Sequence, residues 1–328
     1  MALMNTASLR VALSRWENGH VQPAGDHRQL LQTVLGIELT GPDGDDEAEF
    51  SVQPLTMPQL ESQAEILDAI RRSDRLGCAL MTNPQLNTYS MGLRASLRAG
   101  GPLDVRLRLA SLLADADSLI AWQLLDLGHP GVAFARYEDA ERYATMAEDA
   151  QLTAHARSGQ AVTLIDLGRF AEAYSLMRVT RRQADGKVTP LFSAWLSAAT
   201  AETAAAAGYG AACRDSLRRA FDELPADDRP EPSLPFITLT RTHLQRWAGH
   251  ALSLLGERDA LDILGQAADT MPSDFIRARG SLHTDLARCH ALLGHSTDAA
   301  REQIVALELV RTSGSRRQRR RLAELRAA

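Results

Sequence analysis

Cysteine is scarce in this 328-residue chain, and the three present, Cys78, Cys213 and Cys289, are odd in number and far apart. A disulfide framework and a cysteine-built zinc site are therefore excluded, and the thiols read as small buried residues of a reducing compartment. Aromatics are also thin, at 5%, so alanine and leucine, the strongest helix formers, carry the apolar fraction. No apolar run approaches the roughly 20 residues of a membrane span. The opening MALMNTASLR has neither the basic start nor the apolar stretch of a signal peptide. The expected location is cytoplasmic, with no membrane partner. Excess charge of one sign is missing too: at a net charge of −5, nucleic-acid affinity would have to come from a local basic patch. The chain contains no phosphate-cradling GxxxxGK[ST], no GxSxG elbow and no GxGxxG after a strand. Glu17 with Asp26, and Glu138 with Asp139 and Glu141, are charged helix faces without a base or nucleophile in register. Neither an enzyme nor a cofactor is expected.

Helical periodicity is what the chain has in abundance, from Met57 to its end, broken only by short glycine or proline interruptions. Within it a pattern recurs. Ala121, Gly128, Ala133, Tyr137 and Ala140 are followed forty residues on by Ala161, Gly168, Ala173, Met177 and Thr180, and forty further by Ala201, Gly208, Cys213, Leu217 and Ala220. After a proline-rich connection, Pro225 to Pro235, come Ala248, Gly256, Ala260, Leu264 and Ala267, and then Ala287, Gly294, Ala299 and Ala306. Small residues at fixed offsets let two antiparallel helices cross closely, and the glycine ends the first helix and makes the turn. The pattern resembles the tetratricopeptide repeat with its period stretched to about forty. It predicts hairpins over about 57 to 325 that stack into a solenoid with a concave inner face. An irregular helical bundle without a groove is the other architecture that fits.

Upstream, Thr40 to Pro58 carries three prolines and five acids and reads as a solvated linker. The expected division is 1–37, a small module; 38–56, an acidic and proline-rich linker; and 57–328, the repeat domain. In the first module Ser14 to Gly19, then Pro23 and an apolar helix through Leu30, Leu31, Val34 and Leu35, resemble the second half of a helix-turn-helix of the Cro/C1 or XRE type. The resemblance makes Leu9 to Asn18 the recognition helix, ended by Gly19, with Pro23 opening the next helix. It implies that Arg10, Val11 and Arg15 face base edges and that Ser14 and Asn18 reach phosphates. Leu13 and Trp16 would face the small domain's core. A solvated face is the plainer reading of the two arginines. In that family two helices precede the recognition helix, and here only MALMN stands in their place. This chain is expected to bind DNA weakly unless it is completed upstream.

Together with SDRLGCAL, WQLLDLG and RRQRRRL, these features resemble the XRE-family transcriptional regulators with tetratricopeptide sensor domains of actinobacterial type. What the resemblance implies is an all-α regulator: a partial helix-turn-helix followed by a tetratricopeptide-like α-solenoid that binds a peptide, protein or small-molecule effector and can form a homodimer. The alternative is a repeat scaffold or adaptor without autonomous DNA binding. Polar or amphipathic residues on the first helices of the repeats, Gln123, Asp126, Thr163, Asp166, Trp195 and Arg246, are the candidates for the ligand groove. His243 with His250, and His283 with His290, lie seven apart and share helix faces. Lacking a companion constellation, they read as packing or surface histidines, and no metal is expected. The arginines at 316, 317, 319, 320 and 321 could touch phosphates or an acidic partner, but read as the solvated side of the last helix.

Overall fold

A computed structural model describes residues 54–75, 79–227 and 231–327, which belong to one compact unit, Val52–Ala328. The residues of the helix-turn-helix resemblance, Arg10, Val11, Ser14, Arg15 and Asn18 among them, lie outside this description, as do Cys78 and most of the linker. Among the described residues there are thirteen helices and no strand. None of them is long and apolar enough to cross a membrane.

Helices α1 (Met57–Arg75) and α2 (Ala79–Arg98) come first. Five hairpins follow: α3 (Leu103–Asp126) with α4 (Pro130–Met146), α5 (Ala150–Asp166) with α6 (Phe170–Ala184), α7 (Pro190–Ala206) with α8 (Gly210–Glu223), α9 (Arg241–Leu254) with α10 (Asp259–Thr270), and α11 (Ile276–Leu292) with α12 (Ser296–Ser313). A last helix, α13 (Arg316–Ala327), ends the chain. The starts are written locally. Asp149 Oδ1 accepts from the backbone N–H of Gln151 and of Leu152, both at 2.9 Å, capping α5. Thr189 and Thr240 cap α7 and α9, and Pro130 and Pro190 occupy first-turn positions where a missing N–H costs nothing.

Each hairpin turn is the same device. Gly128 donates to Leu125 O (3.0 Å) and His129 to Leu124 O (2.9 Å), and the equivalent pair of bonds recurs at Gly168, Gly208, Gly256 and Gly294. All five glycines have φ between +70° and +87°. A left-handed residue there turns the chain back while satisfying two helix-end carbonyls, and a Cβ would strain it. The small residues of the pattern, Ala121, Ala133 and Ala140 through Ala287, Ala299 and Ala306, are buried where the paired helices cross. The fold is therefore an α-solenoid of antiparallel hairpins, and the irregular bundle is not observed among the described residues.

The solenoid winds far enough for its ends to meet. Arg277 of α11 donates to both carboxylate oxygens of Asp74 of α1, at 2.8 and 3.0 Å, and its Nε is 3.3 Å from Asp126. α13 turns inward against α3 and α11. The run of arginines is thus only half solvated. Arg316, Arg319 and Arg320 are exposed, but Arg317 is buried, with Nε 2.9 Å from Asp166, and Arg321 donates to Asp285 at 2.8 Å. The correction has a physical cause: aspartates on the inner faces of α5 and α11 provide buried partners that a view of the run alone cannot show.

Candidate functional site

Enclosed by the inner helices is a cavity of about 380 Å³. Its wall follows the repeat. Asp115, His155 and Trp195 occupy one register on α3, α5 and α7; Ser118 and Ser158 the next; Trp122, Val162 and Glu202 a third. The connection between α8 and α9, whose first part is the proline-rich stretch Pro225 to Pro235, also contributes. Leu234, Ile237 and Leu239 anchor it in the core while Phe236 and Thr238 face the cavity.

The groove candidates divide on this frame. Trp195, Arg246 and Asp126 line the cavity. Asp166 does not, but it holds α13 through Arg317 and Arg320. Gln123 is buried behind the wall, where it donates to Asp74 and Thr82 and accepts from Asn83 at 2.9 to 3.0 Å. Thr163 is spent on the Gly159 carbonyl at 2.8 Å. Both sit one residue past the lining positions 122 and 162, and one helical step rotates a side chain by about 100° away from the cavity. The lining residues missed from sequence, Asp115, Ser118, His155 and Glu202, were accessible to the same forty-residue spacing applied to polar positions.

Aromatic side chains form a connected surface in the cavity. His155 packs 4.6 Å from Phe236 and 5.6 Å from Trp195, Trp195 meets Trp247 edge-on at 5.6 Å, and His243 meets Phe275 at 4.7 Å. Burial, reinforced by Arg71, pushes the His155 imidazole down to about 3. Burial, with Arg246 and Arg75 nearby, takes His243 to about 4. Both rings are neutral near pH 7.

Around this surface lie six arginines and four carboxylates. Arg71 donates to Asp115 (2.6 Å), Arg277 to Asp74, Arg317 to Asp166 and Arg321 to Asp285. His250 Nδ1 lies 3.0 Å from Asp285, its Nε2 is 3.6 Å from Glu202, and Trp247 Nε1 donates to Glu202. Burial opposes the Glu202 charge, but the His250 contacts outweigh it and bring the carboxyl down to about 2. Several polar atoms remain enclosed without a hydrogen-bond partner among the described residues: Arg246 Nε, His243 Nε2, Ser118 Oγ, Asp115 Oδ1 and His155 Nδ1. Such unpartnered buried polar atoms are uncommon in a packed core.

Metal-ligating groups gather elsewhere. At the α11–α12 turn, His290, His295 and Asp298 bring ligand atoms within 4.8 Å of one another, although Asp298 already accepts from Arg301 at 3.0 Å. His283, expected to be a packing or surface residue, lies with Nδ1 2.6 Å from Glu302. Cys213 takes the place of a small crossing residue in α8, and burial raises its thiol to about 11.

No family model matches the chain, and no curated protein matches it. The solved structure of Rap protein complexed with Competence and Sporulation Factor is similar in fold, with a TM-score of 0.51 and 12% identity over 97% of this chain and 93% of that one.

Proposed function

We propose that the chain is an effector-responsive regulator whose repeat domain holds a peptide, protein segment or small molecule in the inner cavity and whose N-terminal module contacts DNA. The observation that carries the first half is the cavity itself. It falls in the size range of ligand pockets, has an aromatic wall, and keeps several polar atoms unpartnered. That the similarly folded Rap protein is found complexed with Competence and Sporulation Factor supports a binding role for the fold. Three of the four tryptophans, Trp122, Trp195 and Trp247, line the cavity, so its occupation should change tryptophan emission. A thermal-shift and fluorescence screen of peptides and metabolites should give ligands whose effect is lost in Trp195→Ala while the helical circular dichroism is kept. Ligands that bind Trp195→Ala unchanged would place recognition outside the cavity.

The DNA half rests on the resemblance of residues 9–35 to a helix-turn-helix. Anisotropy titrations at stated salt should show sequence-specific DNA binding that is lost in an Arg10→Ala, Arg15→Ala double variant. No sequence-specific binding, or binding that ignores both arginines, would refute this assignment.

A further inference from the structure

Arg246 stands apart from the other cavity cations. It occupies the inner face of α9, one turn after His243, and both side chains line the cavity. Its neighbours Glu202 and Asp285 attract it across space, but neither lies within ion-pair distance, because each is engaged elsewhere. Glu202 accepts from Trp247 and faces His250. Asp285 accepts from Arg321 and faces His250. Arg246 Nε is enclosed and unbonded, and burial outweighs the attraction, lowering the stability of its charged form.

His243 adds a second unpartnered polar atom. The Thr240 hydroxyl accepts from His243 N–H (3.4 Å) and lies 2.8 Å from Nδ1. In the tautomer in which Nδ1 accepts from this hydroxyl, the ring hydrogen is on Nε2. That atom is enclosed without a partner in a residue only 8% exposed.

The other cavity arginines are engaged. Arg71, Arg277, Arg317 and Arg321 are each matched to a carboxylate, and Arg75, at the exposed rim, donates to the Pro235 carbonyl. One enclosed arginine is left over beside a neutral histidine, with Trp195, Trp247 and Phe236 as the adjoining apolar wall. We infer that the cavity takes a ligand carrying a single carboxylate on an apolar, aromatic-sized body, with the carboxylate held by Arg246 and His243 and the body on Trp195, Trp247 and Phe236. A carboxylate fits because Arg246 has no ion-pair partner among the described residues, Asp126 and Glu202 of the same wall being engaged by Ser315 and Arg277 and by Trp247 and His250, and a guanidinium can give a carboxylate two parallel hydrogen bonds. The inference rests on the reading of the cavity as the effector site. A free aromatic acid and a peptide C-terminus share the required chemistry.

Paired probes separate these sources and test the charge. Phenylacetate is compared with phenylacetamide, and N-acetyl-Leu-Phe-Leu as the free acid with the same peptide as its amide, by calorimetry and thermal shift on the full chain. The acids of one pair or both should bind saturably and the amides on the order of tenfold more weakly. Binding by phenylacetate identifies a small acid as sufficient, and binding by the peptide acid alone identifies a peptide terminus. Arg246→Gln should abolish the preference for the acid. It should also melt no lower than the unliganded wild type, because an arginine held for a ligand and unpaired without one does not stabilise the empty fold. Acid and amide binding alike, an acid preference that survives Arg246→Gln, no binding by any probe, or a clearly lower melting temperature for the empty variant would each overturn the inference. Amide binding that Trp195→Ala abolishes would overturn it while leaving the cavity as the effector site.

Discussion

His155 and His243 are held neutral on the cavity wall, the first at about 3 and the second at about 4, by burial and by arginines nearby. Each has a folded pKa below its unfolded value of 6.5, so protons bind preferentially to the unfolded chain. Stability is therefore complete above about pH 6.5 and lost as pH falls toward 4, at up to about 1.4 kcal/mol per pH unit for each histidine. His250 has the opposite sign. Burial opposes its charge, but Asp285 and Glu202 raise its pKa, so its contribution is full below 6.5 and fades at higher pH. Replacing both His155 and His243 by Phe should flatten the acid side of a melting-temperature profile between pH 6.5 and 4. An unchanged slope would mean that these rings are protonated in the folded state.

Residue scale is also where sequence reading lost precision. Trp195 and Arg246 could be picked from an amphipathic pattern because they are large and lie on the inner register. Gln123 and Thr163 were equally plausible as letters, but their phase is one position off. A repeat fixes which helix is inner from its small residues. It fixes which face is inner only when the polar positions are compared across repeats, as with Asp115, His155 and Trp195.

At the scale of elements, the alanine and glycine offsets were enough to place every hairpin, since close crossing leaves few residue choices. Gly159 shows how little slack there is. A Cβ at this position in α5 would sit 2.1 Å from the ring of Tyr137 in α4, which is itself buried. Alanine in mid-helix ordinarily gains about 0.5–1 kcal/mol over glycine, but overpacking costs about 1–3 kcal/mol. Gly159→Ala should therefore lower stability, and since Gly159 also lines the cavity, it should weaken ligand binding. Chemical denaturation of this variant, with a Gly131→Ala control where the added methyl meets nothing within 4 Å, measures the difference. An equal response of the two would refute the close crossing. Two elements were not legible from local pattern: the wall segment at Phe236 and the inward turn of α13. Both depend on partners far along the chain, Phe236 on His155 and Arg317 on Asp166.

For the whole molecule, the decisive contact is Arg277 with Asp74 and Asp126, which joins the end of the solenoid to its beginning. In an open array, unfolding can begin at either end and pass from repeat to repeat. Here α1 and α11 share a largely buried ion pair, and removing one partner of such a pair costs about 3–5 kcal/mol. Arg277→Gln should lower the melting temperature and increase hydrogen exchange in α1 as well as α11. Protection lost from α11 alone would show that the two ends are not coupled.

Closure also restricts how such a protein can change over generations. Open repeat arrays grow and shrink by tandem duplication, because a new unit needs only a neighbour on each side. In this chain an additional forty-residue hairpin between α5 and α11 would carry Arg277 past Asp74 and move Asp166 out of reach of α13. The number of hairpins is thus set by circumference, and length variants of the unit should arise in its outer turns, not in its repeat count.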